Sequence, residues 1–308
     1  MDVRSGSFPA IFLFLICPFL LSSCDKNGVK VDNSQGTISI SVTDAPIDDA
    51  IEVNLTFTGI SIKPTGQFPY DVLFTEPLTL NMLNYQGDNA EPVIEDFGLQ
   101  AGEYDYVRLN IDLDGSNIVT SEGTFPFIVP FLSLAKRNLQ LFFTEDSLLY
   151  TKRFTVTGSQ NIDFIVDIDL RKSIYESDGL AYNFIPSTRT LIRSNVGSIT
   201  GSLATSLVDG GSCSEGTAGK SVYVFAGSNA SAQDIQGNRS DPFTTANITG
   251  DSSSGYTYTV GFVRAGRYTV AFTCNADIDN INFANPVEFL ADENVTVTAG
   301  NTPTTQNF

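Results

Sequence analysis

Apolar residues at every second position are the feature that most constrains the fold of this chain. Alternation of this kind places one face of a strand in a core and leaves the other face in water. The pattern runs through residues 37–43, 107–114, 162–170 and 256–262. No stretch of comparable length follows the 3.6-residue period of a helix. The sequence therefore predicts an all-β protein.

Segments rich in Gly, Pro, Asn and Asp separate these runs, as expected for the turns of a sandwich or barrel. Val53, Leu55 and Phe57 occupy one strand face, and the phase then shifts to Ile60 across Gly59. A phase shift at a glycine within a strand predicts a β-bulge. We predict two antiparallel β-sandwich domains, residues 36–194 and 195–308.

The N-terminus has the pattern of a secretion signal with a lipid attachment site. An apolar run of about 14 residues, Phe8 to Leu21, is too short to span a membrane but suits a signal peptide. It ends in Leu21-Ser22-Ser23-Cys24, which resembles the bacterial lipobox. The sequence predicts a signal peptide over residues 1–23, lipidation of Cys24 and a polar tether over residues 24–35. Several acyl chains on one cysteine would hold the protein at a membrane.

The charge balance excludes one class of partner. The chain has 17 basic and 35 acidic residues, for a net charge of −18. Such a surface repels the phosphates of nucleic acids, so no nucleic-acid partner is expected. The acidity serves either solubility or the binding of divalent cations.

The composition also argues against most catalytic systems. The chain contains no His, which removes Ser-His-Asp and Cys-His nucleophiles and every His-ligated metal site. We therefore expect a protein that is not an enzyme. A hydrolase that uses two carboxylates is the remaining catalytic alternative.

Two cysteines remain in the mature chain besides Cys24. In an oxidising compartment Cys213 and Cys274 are expected to form a disulfide, and the alternative is two buried free thiols. With no His to activate a thiolate, neither cysteine has the pattern of a catalytic residue.

Asp44, Asp48 and Asp49 cluster where the first predicted strand ends at Pro46. Carboxylate oxygens gathered on a loop are ligands that Ca²⁺ prefers, so a calcium site is one interpretation. The other is an Asx turn closed by Asp44 with solvated Asp48 and Asp49.

Asp167, Asp169 and Arg171 lie two residues apart, so a continuous strand would place them on one face. That row predicts either an ion-pair ladder with a neighbouring strand or a ligand site. If the face is buried, the charges must be paired, and Arg171 is the expected partner of the carboxylates. The two carboxylates are also the pair that a hydrolase would use.

Two segments carry a family resemblance. Thr43-Asp44-Ala45-Pro46 and Asp167-Ile168-Asp169-Leu170-Arg171-Lys172-Ser173, together with Pro186-x-x-Arg189, resemble a bacterial lipoprotein family known as domain of unknown function 4382. The resemblance covers about residues 36–193 and implies an envelope β-sandwich without an assigned reaction. Residues 195–308 are similar, more loosely, to prealbumin-like and carboxypeptidase-regulatory-like sandwiches, through segments such as Arg267-Tyr268-Thr269-Val270.

Together these features predict a non-catalytic envelope lipoprotein that displays two sandwiches and binds a surface glycan or protein. Its membrane contact would be the lipid anchor. A calcium-stabilised spacer and a carboxylate-dependent hydrolase are the alternatives.

Overall fold

The computed structural model describes residues 34–48, 50–129, 153–177, 179–211, 213, 217 and 219–308, and the backbone alone of residues 138–142. The predicted signal peptide, Cys24 and Asp49 lie outside these residues. Asn33–Phe308 forms one compact unit. Within it we distinguish an N-terminal half, residues 34–195, and a C-terminal half, residues 196–308.

The N-terminal half is built from strands, with one short helix and two 3₁₀ turns. Its elements are β1 (Gln35–Ala45), β2 (Glu52–Pro64), β3 (Tyr70–Asn81), a 3₁₀ turn (Met82–Asn84), β4 (Glu91–Gln100), β5 (Gly102–Thr120), β6 (Gly123–Ile128), β7 (Asn138–Phe142), β8 (Phe154–Val156), β9 (Asn161–Asp169), α1 (Leu170–Ser173), β10 (Ile174–Glu176), β11 (Tyr182–Phe184), β12 (Thr188–Ile192) and a second 3₁₀ turn (Arg193–Asn195).

These strands form two sheets with a shared core. One sheet has the order β12-β9-β1-β4, and the other runs β10-β11-β6-β5-β2-β3, with β7 and β8 also paired to β5. The alternating apolar residues of both sheets are buried in one cluster, including Ile38, Val166, Phe57 and Ile111. The register of β2 shifts between Phe57 and Gly59, so the predicted bulge is confirmed.

The C-terminal half is a smaller sandwich. Its elements are β13 (Val196–Leu203), α2 (Thr205–Val208), β14 (Ser221–Ala226), β15 (Thr244–Asn247), β16 (Thr249–Asp251), β17 (Gly255–Arg264), β18 (Gly266–Thr273), a 3₁₀ turn (Ala276–Ile278), β19 (Phe289–Val297) and β20 (Thr304–Thr305).

Two four-stranded sheets, β16-β17-β13-β20 and β15-β14-β18-β19, enclose the core of this half. The prediction of an all-β sandwich fold is confirmed. Most strand pairs are antiparallel, but β1 with β9, β6 with β11 and β13 with β20 are parallel, which an alternating pattern does not specify. In the described part of the chain, strands pair only within their own half.

The cysteine pair lies in the C-terminal half. Cys213 and Cys274 form a disulfide with their Cα atoms 5.5 Å apart, which confirms the predicted pairing. The bond joins the segment after α2 to the end of β18. It closes a loop with a sequence separation of 61 residues.

Within the described residues, no helix has the length and apolar character to cross a membrane.

Strand β9 differs from its predicted half-buried state. Residues Phe164 to Leu170 are all buried, so both faces of the strand are covered. One face packs in the core of the N-terminal half. The other carries Ile165, which clusters with Leu191 of β12 and with Val196 and Phe262 of the C-terminal half. The C-terminal half therefore covers the outer face of the β12-β9-β1-β4 sheet.

Candidate functional site

The candidate site is the buried contact between the two halves, because the sequence-predicted charged residues converge there. Asp167 and Asp169 on β9, Arg171 on α1 and Asp44 on β1 are all buried. Burial of charged groups costs several kcal/mol per ion unless each group is paired and hydrogen-bonded. The partners of each charge therefore determine what the site can do.

Arg171 projects from α1 into the C-terminal half and is almost completely buried. Its Nη1 donates to a carboxylate oxygen of Asp48 and, at 2.7 Å, to the carbonyl oxygen of Ala276. Its Nη2 donates to Ser221 Oγ at 3.1 Å. The guanidinium also lies 5.6 Å from the ring centre of Tyr223. One side chain of the N-terminal half thus contacts both the 3₁₀ turn that begins at Ala276 and strand β14 of the C-terminal half.

The turn that presents Arg171 is specified locally. Strand β9 ends at Asp169, whose side chain accepts from the backbone N–H of Lys172 at 3.1 Å and so caps α1. Lys172 Nζ forms an ion pair with Asp169 at 3.0 Å and donates to the carbonyl oxygen of Pro242 at 2.5 Å. This second contact also crosses between the halves.

The predicted ladder of Asp167, Asp169 and Arg171 is wrong in its pairing. Asp167 pairs with Arg189, which lies opposite it on β12, and Asp169 pairs with Lys172. Arg171 does not share their face because the strand ends at Asp169 and the chain turns into α1. Its partner is Asp48 instead.

Arg189 of the neighbouring strand β12 contacts the C-terminal half as well as Asp167. Its guanidinium lies 4.1 Å from the ring centre of Phe243 in the C-terminal half. Burial raises the pKa of Asp167, and the charge of Arg189 opposes that shift. Sequence reasoning did not select Arg189 as a site residue, although the family resemblance contained it.

The proposed cluster of Asp44, Asp48 and Asp49 does not form one ligand set. Asp48 forms an ion pair with Arg171. The alternative interpretation, in which Asp48 is solvated beside an Asx turn, therefore does not hold for Asp48 either. Asp44 lies inside β1, and its Oδ2 accepts from Gln86 Nε2 at 3.3 Å. Burial, with added repulsion from Asp167 and Asp169, raises the pKa of Asp44 well above its ordinary value. Asp49 lies outside the described residues.

A bulge in β17 brings the C-terminal half close to the N-terminal half. Ser198 of β13 faces both Gly261 and Phe262, and Phe262 has a φ of 51°, which is unfavourable for a bulky residue. The bulge directs Phe262 into the cluster with Ile165 and Leu191. A Cβ at Gly261 would overlap the backbone of Gly87, so only glycine fits this approach. A glycine inside an alternating strand, here Gly261, is the sequence signal for this bulge.

A small polar cavity lies at the same contact. Its volume is about 10 Å³, close to that of one water-sized probe. Both halves line it, through Thr43, Asp44, Gly87, Asp167, Thr244, Thr245, Thr259, Val260, Gly261 and Phe262.

A larger groove of about 640 Å³ opens in the N-terminal half. Aromatic and apolar side chains such as Phe154 and Ile162 line it together with polar ones such as Gln160 and Asn161. Its size falls in the range of small-molecule binding sites.

The arrangement offers little to catalysis. The Asp167 and Asp169 carboxylates are buried under the C-terminal half and paired with cations, so they do not flank an open cleft. Among the described residues, no three Asp, Glu or Cys side chains form a group that could hold a metal ion by themselves.

Comparison with solved structures finds weak likenesses. The TIE protein of Bacillus anthracis is 8% identical to this chain, with a TM-score of 0.21. The match covers 89% of this chain and 34% of that one, so this chain spans about a third of that protein's length. An adhesin candidate from Bacteroides ovatus ATCC 8483 is 8% identical over 94% of both chains, with a TM-score of 0.21. A cell adhesion protein candidate from Bacteroides fragilis NCTC 9343 is 10% identical over 88% of this chain and 91% of that one, with a TM-score of 0.20. These scores are too low to carry a functional argument.

Sequence comparison gives a firmer result. No curated protein matches the sequence. Residues 35–186 match the family described as a domain of unknown function (DUF4382). This match includes Asp44, Asp48, Asp167, Asp169 and Arg171, whereas Arg189 and the contacting residues of the C-terminal half lie outside it. The N-terminal half, over residues 35–186, therefore belongs to the DUF4382 family.

Proposed function

We propose that this chain is a non-catalytic envelope lipoprotein, anchored by lipid on Cys24, that presents its two sandwich halves to the cell exterior as one rigid body. The observation that carries the proposal is the contact of Arg171 with both Asp48 and the carbonyl oxygen of Ala276. A display protein needs a fixed geometry between its anchored half and its distal half, and this contact supplies one.

The physical argument rests on the cost of separating the halves. Opening the contact would remove Arg171 from Ala276 and Ser221, and Lys172 from Pro242. It would also expose the apolar cluster of Ile165 and Phe262. Interfaces within a chain permit domain motion unless they are extensive and well packed. Hydrogen bonds from buried cationic side chains, together with apolar contacts in the same interface, oppose such motion.

The proposed anchor comes from the sequence. Cys24 follows an apolar run of signal-peptide length, and a polar segment separates it from β1. Through this anchor the two halves would be held near the membrane.

The anchor and the exposure of the protein are tested together in the native bacterium. Metabolic labelling with an alkyne fatty acid should label the wild-type chain and leave a Cys24→Ala variant unlabelled. Protease added to intact cells should remove the C-terminal half from the wild type. Labelling of the variant, or protection of the wild type until the outer barrier is opened, would contradict the anchor or the surface display respectively.

A second candidate function is binding of a glycan, with an envelope protein as the other possible partner. The 640 Å³ groove favours the glycan, because apolar side chains such as Phe154 adjoin hydrogen-bonding side chains such as Gln160 and Asn161. Sugars present both apolar C–H faces and hydroxyls, so they match such a lining. Binding to a glycan array by the wild type, and its loss in Asn161→Ala, would support this function. Undiminished glycan binding by Asn161→Ala would place the site elsewhere.

A further inference from the structure

Three residues that line the small cavity between the halves each carry a buried oxygen atom without a hydrogen-bond partner among the described residues. The atoms are Asp44 Oδ1, Asp167 Oδ1 and Thr245 Oγ1. The three residues are 4%, 3% and 2% exposed. A buried polar atom without a partner costs about 1–3 kcal/mol, and more when it is charged. Three such atoms at one cavity indicate that it accepts a ligand.

The charges around the cavity determine the sign of that ligand. Asp167 is paired with Arg189, Asp169 with Lys172, and Arg171 with Asp48. Among the described residues, the Asp44 carboxylate accepts hydrogen bonds from neutral groups alone, the Gln86 amide and the backbone N–H of Leu170. The charged groups around the cavity therefore include four carboxylates but three cationic side chains, which leaves one negative charge without a cationic partner. An isolated buried carboxylate is strongly unfavourable, so the site favours a positive ligand.

The size and lining of the cavity determine the ligand's chemistry. A volume of about 10 Å³ admits one water-sized particle and excludes a sugar or a phosphate. The lining offers carboxylate, hydroxyl and backbone oxygens and no sulfur or imidazole nitrogen. Such oxygen ligands suit hard cations.

We propose that this cavity binds one hard metal cation, Na⁺ or Ca²⁺, through Asp44 and Asp167 together with threonine oxygens of the C-terminal half. Because Asp44 and Asp167 belong to one half and Thr245 to the other, the cation joins the halves at the contact that Arg171 already bridges. This inference does not depend on what the exposed surface of the protein binds.

The site is tested on the mature chain from residue 24 with Cys24→Ser. The protein is dialysed at pH 8 into choline chloride with a chelator, and the midpoint of thermal unfolding is followed as NaCl or CaCl₂ replaces choline at constant ionic strength. A ligand that binds only the folded state raises the midpoint by about 5 °C at a hundredfold excess over its Kd for a chain of this size. We expect a saturable rise in the wild type with at least one of the two cations.

Matched variants distinguish this site from others. Asp44→Asn keeps the side-chain shape but removes the unpaired charge, and it should abolish the cation-dependent rise. Asp163→Asn changes an outlying carboxylate of β9 and should retain the cation-dependent rise. Calcium or sodium content after equilibrium dialysis, measured by atomic emission, provides a readout on wild-type protein alone and should approach one ion per chain if that cation is the ligand.

Three outcomes would overturn the proposal. The first is a midpoint that neither cation changes in the wild type. The second is an equal rise in Asp44→Asn, which would place the bound ion elsewhere. The third is a wild-type unfolding midpoint that neither cation changes but that rises as the pH falls from 8 to 5. That result would show that a proton neutralises Asp44 instead of a metal cation.

Discussion

Arg171 of the N-terminal half donates to the carbonyl oxygen of Ala276 of the C-terminal half at 2.7 Å, in a contact buried from solvent. The same guanidinium holds Asp48 of its own half. A segment that is part of the family match therefore fixes the position of a second sandwich outside that match. Arg171, which the sequence suggested as part of a ligand site, acts as a docking contact in the structure.

Removal of Arg171 is expected to be strongly destabilising. Arg171→Ala leaves Asp48 and the carbonyl oxygen of Ala276 without their donor, and breaking a buried ion pair costs about 3–5 kcal/mol. Denaturant unfolding of the variant measures this loss. Arg153→Ala is the matched control, because Arg153 is 66% exposed in its ion pair with Asp105. The control should unfold close to the wild type, and equal losses in both variants would contradict a special role for Arg171.

The close approach at Gly261 makes a second prediction. In Gly261→Ala the new Cβ overlaps the backbone of Gly87, so the halves must separate slightly, at a cost of about 1–3 kcal/mol. In Gly98→Ala the nearest atom to the new Cβ is 3.9 Å away, and stability should change little. Thermal unfolding of both variants checks this. A stable Gly261→Ala protein would show that the contact between the halves is looser than the structure has it.

The disulfide should stabilise the C-terminal half. Loss of a crosslink that closes a loop of about 60 residues costs about 4 kcal/mol in the chain-entropy model. The double variant Cys213→Ser, Cys274→Ser should lose this amount in denaturant unfolding. A reducing agent should destabilise the wild type but leave the double variant unchanged. Sensitivity of the double variant to the reducing agent would contradict this account.

Stability should depend on pH through Asp44. Burial raises the pKa of Asp44 above its unfolded value near 4, so the folded state binds a proton more readily than the unfolded chain. In buffer without Na⁺ or Ca²⁺, this contribution to the free energy of unfolding is full below about pH 4. It is then lost as the pH rises through the folded pKa. Asp44→Asn should flatten this part of the profile measured by urea unfolding. An unchanged profile in the variant would assign the dependence to other groups.

The sequence predicted the strands because alternation is a local property. The bulge at Gly59 followed from an equally local signal. The pairing of Cys213 with Cys274 followed because they are the two cysteines of the mature chain besides Cys24. The burial of Asp167 and Asp169 could not be predicted from a local signal. A strand with polar residues on one face shows the same alternation whether that face is solvated or covered by another part of the protein. Here the C-terminal half covers that face.

The prediction that Arg171 pairs with Asp167 and Asp169 was wrong for a related reason. Residue spacing assigns Arg171 to the face of Asp169 only if the strand continues, but Asp169 caps α1 and ends the strand. The contact of Arg171 with Ala276 spans 105 residues of sequence, which no local pattern encodes. Asp48 was selected as a calcium ligand on the same local grounds.

Differential scanning calorimetry of the mature chain tests most directly whether the two halves are one rigid body. A single transition whose van't Hoff enthalpy equals its calorimetric enthalpy is the result that the buried contact predicts, with two separate transitions in Arg171→Ala. Two transitions in the wild type, unchanged by Arg171→Ala, would contradict it. The halves would then be independent sandwiches whose contact does not couple their folding.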